Sequence, residues 1–350
     1  MAVDTASSNS FVHPSLTSSL TGKASLSRVA RIIEKHSHGL GQDPWTEYSL
    51  SLGEHDGLQE QVDKRNNLLR RRKIRYDYEP FKSRLTIRMP SPLHDTFCAK
   101  VVRDIISQLE SVVLNGGHGA DFAKDVDYFA SSQIDLPYDS ADDNTLYARR
   151  EPDASFGHPK ARYPGVVIEV CYSQKGRRIP ALADDYILNS DGSINAVVFL
   201  DIEYRGKEAS FSIWQPCFEI VNGVKELSAA CVDKQMFRTI DGLPAESTPL
   251  RLNLKDFATE DETEGYADLD QEITISARDL CDYLNVAESR QAAQERHEGS
   301  VKKMPTGTRK RRRAETPPDE INSEDEAVFQ PLEESDRKRH RDSDYHPDSL

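Results

Sequence analysis

The sequence predicts an α/β domain built on a mixed sheet, with polar tails on either side. Three observations predict it. Gly165–Tyr172 (GVVIEVCY) is an apolar run rich in β-branched residues and too short for an ordinary helix, so it is a buried strand. A second apolar strand, Ala196–Tyr204, follows after a single helix, Pro180–Asn189. The order over the central region is helix, three strands, helix, strand. The helix before the last strand is a crossover, which implies a mixed sheet with helices on its faces.

The chain has 350 residues and a net charge of −14, with 37% hydrophobic and 30% charged residues. That is enough for one sizeable core with polar tails. No stretch is long and apolar enough to span a bilayer, so no membrane partner is expected. The first residues, MAVDTASSNSF, lack the apolar segment of a secretory signal. Cys98, Cys171, Cys217, Cys231 and Cys281 form no C-x-x-C pair, which suits reduced thiols and suggests no zinc site. The acidic balance argues against non-specific nucleic-acid binding over the whole surface, and leaves room for a local basic groove.

In chain order, residues 1–23 are rich in Ser and Thr and read as a disordered tail. Residues 24–80 read as a helical extension, with amphipathic helices at Ser25–His36 and Leu58–Arg72 joined by a polar connection, Asp43–Leu52. The cluster Arg70, Arg71, Arg72, Lys73 and Arg75 is either a phosphate-contacting patch or a solvated helix end. The central domain covers 81–286. It opens with a strand at Leu85–Arg88 and a helix at about Leu93–Val113, whose stripe is Phe97, Val101, Ile105, Ile106, Leu109 and Val112. Tyr128–Leu136 and Leu146–Phe156 are the next two strands, separated by an acidic loop. Beyond the crossover lie Ala209–Trp214, edge strands within Phe218–Met236 turning at Asn222-Gly223, a short strand in Leu250–Phe257, an acidic loop and a closing helix at Ile275–Val286. Residues 287–350 read as a disordered charged tail.

Glu169 is the unusual residue. A lone acid in an apolar strand costs several kcal/mol unless it is paired or holds a metal. Asp153, after Pro152, opens the short stretch Ala154–Phe156. If the two strands are neighbours, Asp153 and Glu169 converge on one cation. Two hard oxygen ligands with open positions suit Mg²⁺ or Mn²⁺, which activates water and stabilises charge on a transferring phosphoryl group. The blander alternatives are a turn acid at Asp153 and an arginine partner for Glu169.

The run PDASF, then P-x-VVIEV-x-YSQ, then a helix with A-x-x-Y and a strand ending in IEY, resembles the PD-(D/E)XK or restriction-endonuclease-like nuclease superfamily, most of all its small fungal members. The resemblance covers about residues 85–215. It implies an αβββαβ core, with Mg²⁺ or Mn²⁺ held by Asp153, Glu169 and the backbone carbonyl of Val170. It also implies a polar group facing the metal from the first helix, here His94 or Asp95, although Asp95 equally suits the helix dipole. The superfamily's lysine lies two residues past the glutamate, where this chain has Cys171. Lys175, or Arg177 as a phosphate contact only, would have to stand in, with Gln174 near a bound water or phosphate.

The expected function is hydrolysis of phosphodiester bonds in DNA by a metal-dependent nuclease. The rival, supported by Cys171, is a catalytically inactive nuclease-fold module binding nucleic acid or protein. A third class is an interaction protein whose Glu169 merely pairs with an arginine. Arg309, Lys310, Arg311, Arg312 and Arg313 (RKRRR) have the composition of a nuclear import signal, repeated at Arg337–Arg341. The nucleus and an import receptor are therefore expected, the alternative being a basic tail that grips nucleic acid.

Overall fold

The computed structural model describes residues 45–56, 58, 75–88, 91–138, 146–172, 178–203 and 206–311. Two units separate, Met1–Glu298 and Gly299–Leu350. The described part of the second, 299–311, is exposed and without helix or strand.

The first unit begins with β1 (Trp45–Ser49), β2 (Arg75–Glu79) and β3 (Arg84–Arg88). Helices α1 (Pro92–Asn115) and α2 (Ala120–Asp125) follow, then β4 (Asp127–Ala130), β5 (Ile134–Tyr138), β6 (Leu146–Arg150), β7 (Ala154–Gly157) and β8 (Val166–Tyr172). The crossover is α3 (Ile179–Leu188), leading to β9 (Ala196–Ile202) and the long hairpin β10 (Ala209–Val221) and β11 (Val224–Arg238). The unit ends with β12 (Leu250–Asn253), the short α4 (Glu260–Thr263), β13 (Glu272–Ile275) and α5 (Ala277–Glu295).

The architecture is α/β. A six-stranded sheet runs in the order β11-β10-β9-β8-β7-β4 and is mixed: β8 and β9 are parallel, and every other neighbouring pair is antiparallel. α3 makes the one parallel connection, as expected from the two apolar strands it links. A second, five-stranded sheet runs β1-β3-β2-β6-β5.

Period-two alternation divides the large sheet's side chains. Val166, Ile168 and Val170 join Phe156, Val198 and Leu200 in a core with the α1 stripe and Leu280 and Leu284 of α5. Val167, Val197 and Phe199 face the other way, onto Ala183, Tyr186 and Ile187 of α3. Both faces are covered, which explains why β8 reads as a continuous apolar run.

The helix α1 starts where its chemistry dictates. Ser91 caps it by accepting from the His94 N–H at 3.2 Å, and Pro92 takes a first-turn position that needs no donor. The hairpin turns at Asn222 (φ 52°) and Gly223 (φ 80°), the left-handed pair that a two-residue connection requires.

Several expected boundaries move. Tyr128–Leu136 is not one strand: the chain turns after Ala130, at φ 55°, so that β4 joins the large sheet and β5 the small one. Leu146–Phe156 likewise divides at Pro152, which has no N–H to give a ladder, into β6 of the small sheet and β7 of the large one. Within 24–80, read as helical, the described residues contribute two strands besides a short helical segment at 52–56. Trp45–Ser49, read as a connection, pairs with β3, and Arg75–Glu79 pairs with β3 and β6. Tyr76, Tyr78, Leu85 and Ile87 then form their own small core. The last helix runs past Val286 to Glu295 because Ala287 is still buried. The expected helices at Ser25–His36 and, but for Leu58, Leu58–Arg72, with Arg70–Lys73, lie outside the described residues.

Gly165 is fixed by packing rather than by a turn. A Cβ there would overlap the backbone carbonyl carbon of Phe257 and come within 2.5 Å of the Asp256 carbonyl oxygen. Gly165→Ala is expected to cost about 2 kcal/mol, since backbone cannot move aside as a side-chain tip can. Denaturant unfolding checks this, and a loss within experimental error would show that the 254–257 turn shifts freely.

Candidate functional site

The site is built where the two sheets meet near the start of α1. Pro152 ends β6 and re-aims the chain, so Asp153 stands at the head of β7. Asp153 and Glu169 are 5% and 1% exposed, so each needs partners within the protein.

Asp153 Oδ2 accepts from the Val170 backbone N–H at 2.7 Å and lies 3.0 Å from His94 Nε2. Its Oδ1 accepts from Arg75 and lies 3.9 Å from Arg88 Nη1. Glu169 Oε1 accepts from the Tyr186 hydroxyl at 2.6 Å, and Oε2 accepts from Arg88 Nη1 at 2.8 Å. Arg88 Nη2 donates to Asp77 Oδ1 at 3.0 Å and to the Glu151 carbonyl. Asp77 Oδ1 also takes the Glu151 N–H at 3.0 Å. Beside this group, Arg150 pairs with Asp185 and, at 3.0 Å, with Glu79.

Three carboxylates (Asp77, Asp153, Glu169) thus meet three cationic side chains (Arg75, Arg88, His94). The titrations follow from this. Burial opposes the His94 charge, but the Asp153 carboxylate outweighs it and raises His94 to about 9. Burial would raise Asp153, yet His94, Arg88 and Arg75 together hold it well below the usual carboxylate range. Glu169 is raised to about 7, chiefly by burial, with Arg88 opposing and the charges of Asp153 and Asp77 adding to the rise. Arg88 is desolvated, but Asp77, Glu169 and Asp153 hold its proton more tightly than in water.

The two expected acids are therefore brought together, and Val170 and His94 join them. Val170 does so through its backbone N–H. Asp95 stays at the rim, 3.7 Å from Arg75 Nη2. Cys171 follows Val170 as a half-buried thiol, pushed well above its ordinary titration by burial and by Glu169 and Asp153, so it is neither a cation nor a base. Gln174, Lys175 and Arg177 lie outside the described residues.

An arginine partner for Glu169 was one of the expected alternatives and is found in Arg88, but neither Arg88 nor Arg75 was foreseen by number beside the acids. Arg88 reads as a strand end and Arg75 as the last member of a basic run. The available signal was the alternation in RYDYE and RLTIR, which sets Tyr76, Tyr78, Leu85 and Ile87 on one face and Asp77, Glu79 and Arg88 on the other. That charged face points inward.

The donor set can be tested against Mg²⁺ or Mn²⁺. Both carboxylates are within reach of one cation, but that cation is the Arg88 guanidinium, which touches Glu169 and approaches Asp153. Every carboxylate oxygen of the pair already accepts from a protein donor. A divalent ion shared by Asp153 and Glu169 would meet fixed positive charge at close range. In this arrangement the residues do not fit the metal.

Among the described residues no helix is long and apolar enough to cross a membrane. Comparison of the chain with protein-family models, with curated proteins and with solved structures finds no match.

Proposed function

We propose that this chain is a nuclease-fold module of the PD-(D/E)XK type that binds nucleic acid in the nucleus without cutting it. The observation that carries the reading is Arg88 spanning Asp153 and Glu169. The fold part is supported by the succession α1, β4, β7, β8, α3, β9, by the parallel β8–β9 pair, and by Asp153 and Glu169 on adjacent strands. These are the features the αβββαβ expectation asks for. The loss of cleavage is supported independently by Cys171, because a protonated thiol cannot supply the charge or the base of the superfamily's lysine. The exposed Arg309, Lys310 and Arg311 support recognition by an import receptor. Arg312 and Arg313 lie outside the described residues.

Metal-dependent phosphodiester hydrolysis is the second reading. The convergence of Asp153 and Glu169 favours it, since the acids that the resemblance singles out are neighbours in space. One experiment separates the two. Purified full-length protein is titrated into labelled single-stranded and duplex DNA in EDTA, and the same mixtures are incubated with Mn²⁺ and run on a denaturing gel. The expected result is binding in EDTA and intact DNA in Mn²⁺. Cutting that disappears in both Asp153→Ala and Glu169→Ala would establish the nuclease instead.

A further inference from the structure

A cleft of the first unit has a different chemistry from the acidic cluster. It has a volume of about 840 Å³ and opens where β6 and the short helical segment at 52–56 approach the loop before β8. That volume is in the range of small-molecule sites, on the order of 300–1,000 Å³. Its lining includes the exposed Tyr147 and Arg162, the buried Tyr163 and His55, Arg149 and Gln133, and the acids Asp56 and Asp135.

Each group has a definable state. Arg149 is held, its guanidinium 4.0 Å from the Tyr76 ring centroid and bonded to Glu151. Arg162 is exposed, lies 5.1 Å from the Tyr163 ring centroid, and has no ion pair among the described residues. Its charge is therefore available to an anion. Tyr147 is 48% exposed and lines the cleft. His55 is stacked on Tyr78 at 3.9 Å with the rings 4° from parallel. It is buried, and its Nε2 has no hydrogen-bond partner among the described residues. Burial lowers its titration to about 4, so the ring is neutral at about pH 7. Its Nε2 is closed off from solvent as well as unpartnered among the described residues, so the ring serves as packing behind the cleft.

We propose that this cleft binds a nucleotide, with its base laid against Tyr147 and its phosphate on Arg162. A stacking surface beside arginine is what a base with an attached phosphate requires. The inference deepens the nucleic-acid reading and rests on it for the source of the nucleotide. The same chemistry is offered by a free mononucleotide and by a nucleotide within a single strand.

The test uses full-length protein in EDTA. Calorimetry measures dAMP, and fluorescence anisotropy measures labelled oligodeoxyadenylate, oligothymidylate and a blunt duplex. Tyr147→Ala and Arg162→Ala remove exposed groups, and unchanged melting verifies their fold. Both single strands are expected to bind, and each variant to weaken them by about tenfold or more. Binding of dAMP with the same losses assigns the cleft to free nucleotide; binding of the oligomer alone assigns it to a single strand. If neither dAMP nor either single strand binds, or both variants bind as the wild type does, the cleft is not a nucleotide site. Duplex binding alone would then leave the nucleic-acid reading standing while this one falls. Binding of dAMP without any polynucleotide binding would do the reverse.

Discussion

Arg88→Met is expected to destabilise the protein by about 3–5 kcal/mol, the largest loss from any single side chain of the site. Arg88 is the common partner of Asp77 and Glu169 and lies 3.9 Å from Asp153, so its removal leaves buried negative charge in one place without its shared cation. Methionine keeps much of the side-chain length, so the loss measures charge and hydrogen bonds rather than a cavity. A midpoint roughly 10 °C lower in thermal unfolding is the corresponding observable. The same variant tests why a divalent ion does not fit the wild-type arrangement. With the guanidinium gone, Mn²⁺ is expected to raise the melting temperature of Arg88→Met and leave that of the wild type unchanged. Stabilisation of the wild type by Mn²⁺ would mean that Arg88 yields its place readily, and the nuclease reading would regain its footing. Glu169→Gln in the wild-type background is the companion measurement. Its cost should be smaller, because Arg88 keeps Asp77 and the neutral amide can still accept from Tyr186 Oη.

The physical basis for what the sequence revealed differs from residue to residue. Glu169 stood out because its neighbours are apolar on both sides, so that both faces of its strand had to be buried. Asp153 could be placed beside it because strand, short turn and strand leave few ways for the chain to return. The crossover from β8 to β9 follows from chain direction alone. These are local inferences, carried by runs of fewer than about ten residues of strand and turn.

Arg88 and Arg75 could not be reached that way. They stand 81 and 78 residues from the acids they meet, and no local pattern encodes which sheet face lies against which. The alternation in β2 and β3 was visible, and an apolar face opposite a charged face ordinarily means that the charged face is solvated. Here the small sheet buries both. Its tyrosines fill one core, and on the other face Arg88 meets Glu169 of the larger sheet while Asp77 pairs with Arg88 and Glu79 with Arg150. The same long-range docking separates β4 from β5 and β6 from β7. In each case one apparent strand turns a corner and serves two sheets, at Ala130 and at Pro152.

Because the charges are matched, stability should depend on pH in two separable windows. His94 has an ordinary value of 6.5 and is raised to about 9 in the folded protein. The native state therefore holds its proton more tightly than the unfolded chain. That contribution is fully present below about pH 6.5 and is lost as pH rises towards 9, with a total on the order of 3 kcal/mol. Glu169 is raised from 4.5 to about 7 and acts in the same direction at lower pH, its preference for the protonated form fading as pH rises through that range. Asp153 has the opposite sign: its depressed titration supplies stability above the usual carboxylate range that disappears only in acid. The wild type should thus lose stability between about pH 6.5 and 9, whereas His94→Gln, which cannot charge, should be flat above about pH 7 and keep the lower window. Chemical denaturation across this pH range reads both curves. Equal slopes for wild type and His94→Gln above about pH 7 would show that His94 is not the protonated partner of Asp153, and the network would then have to be balanced by Arg75 and Arg88 alone.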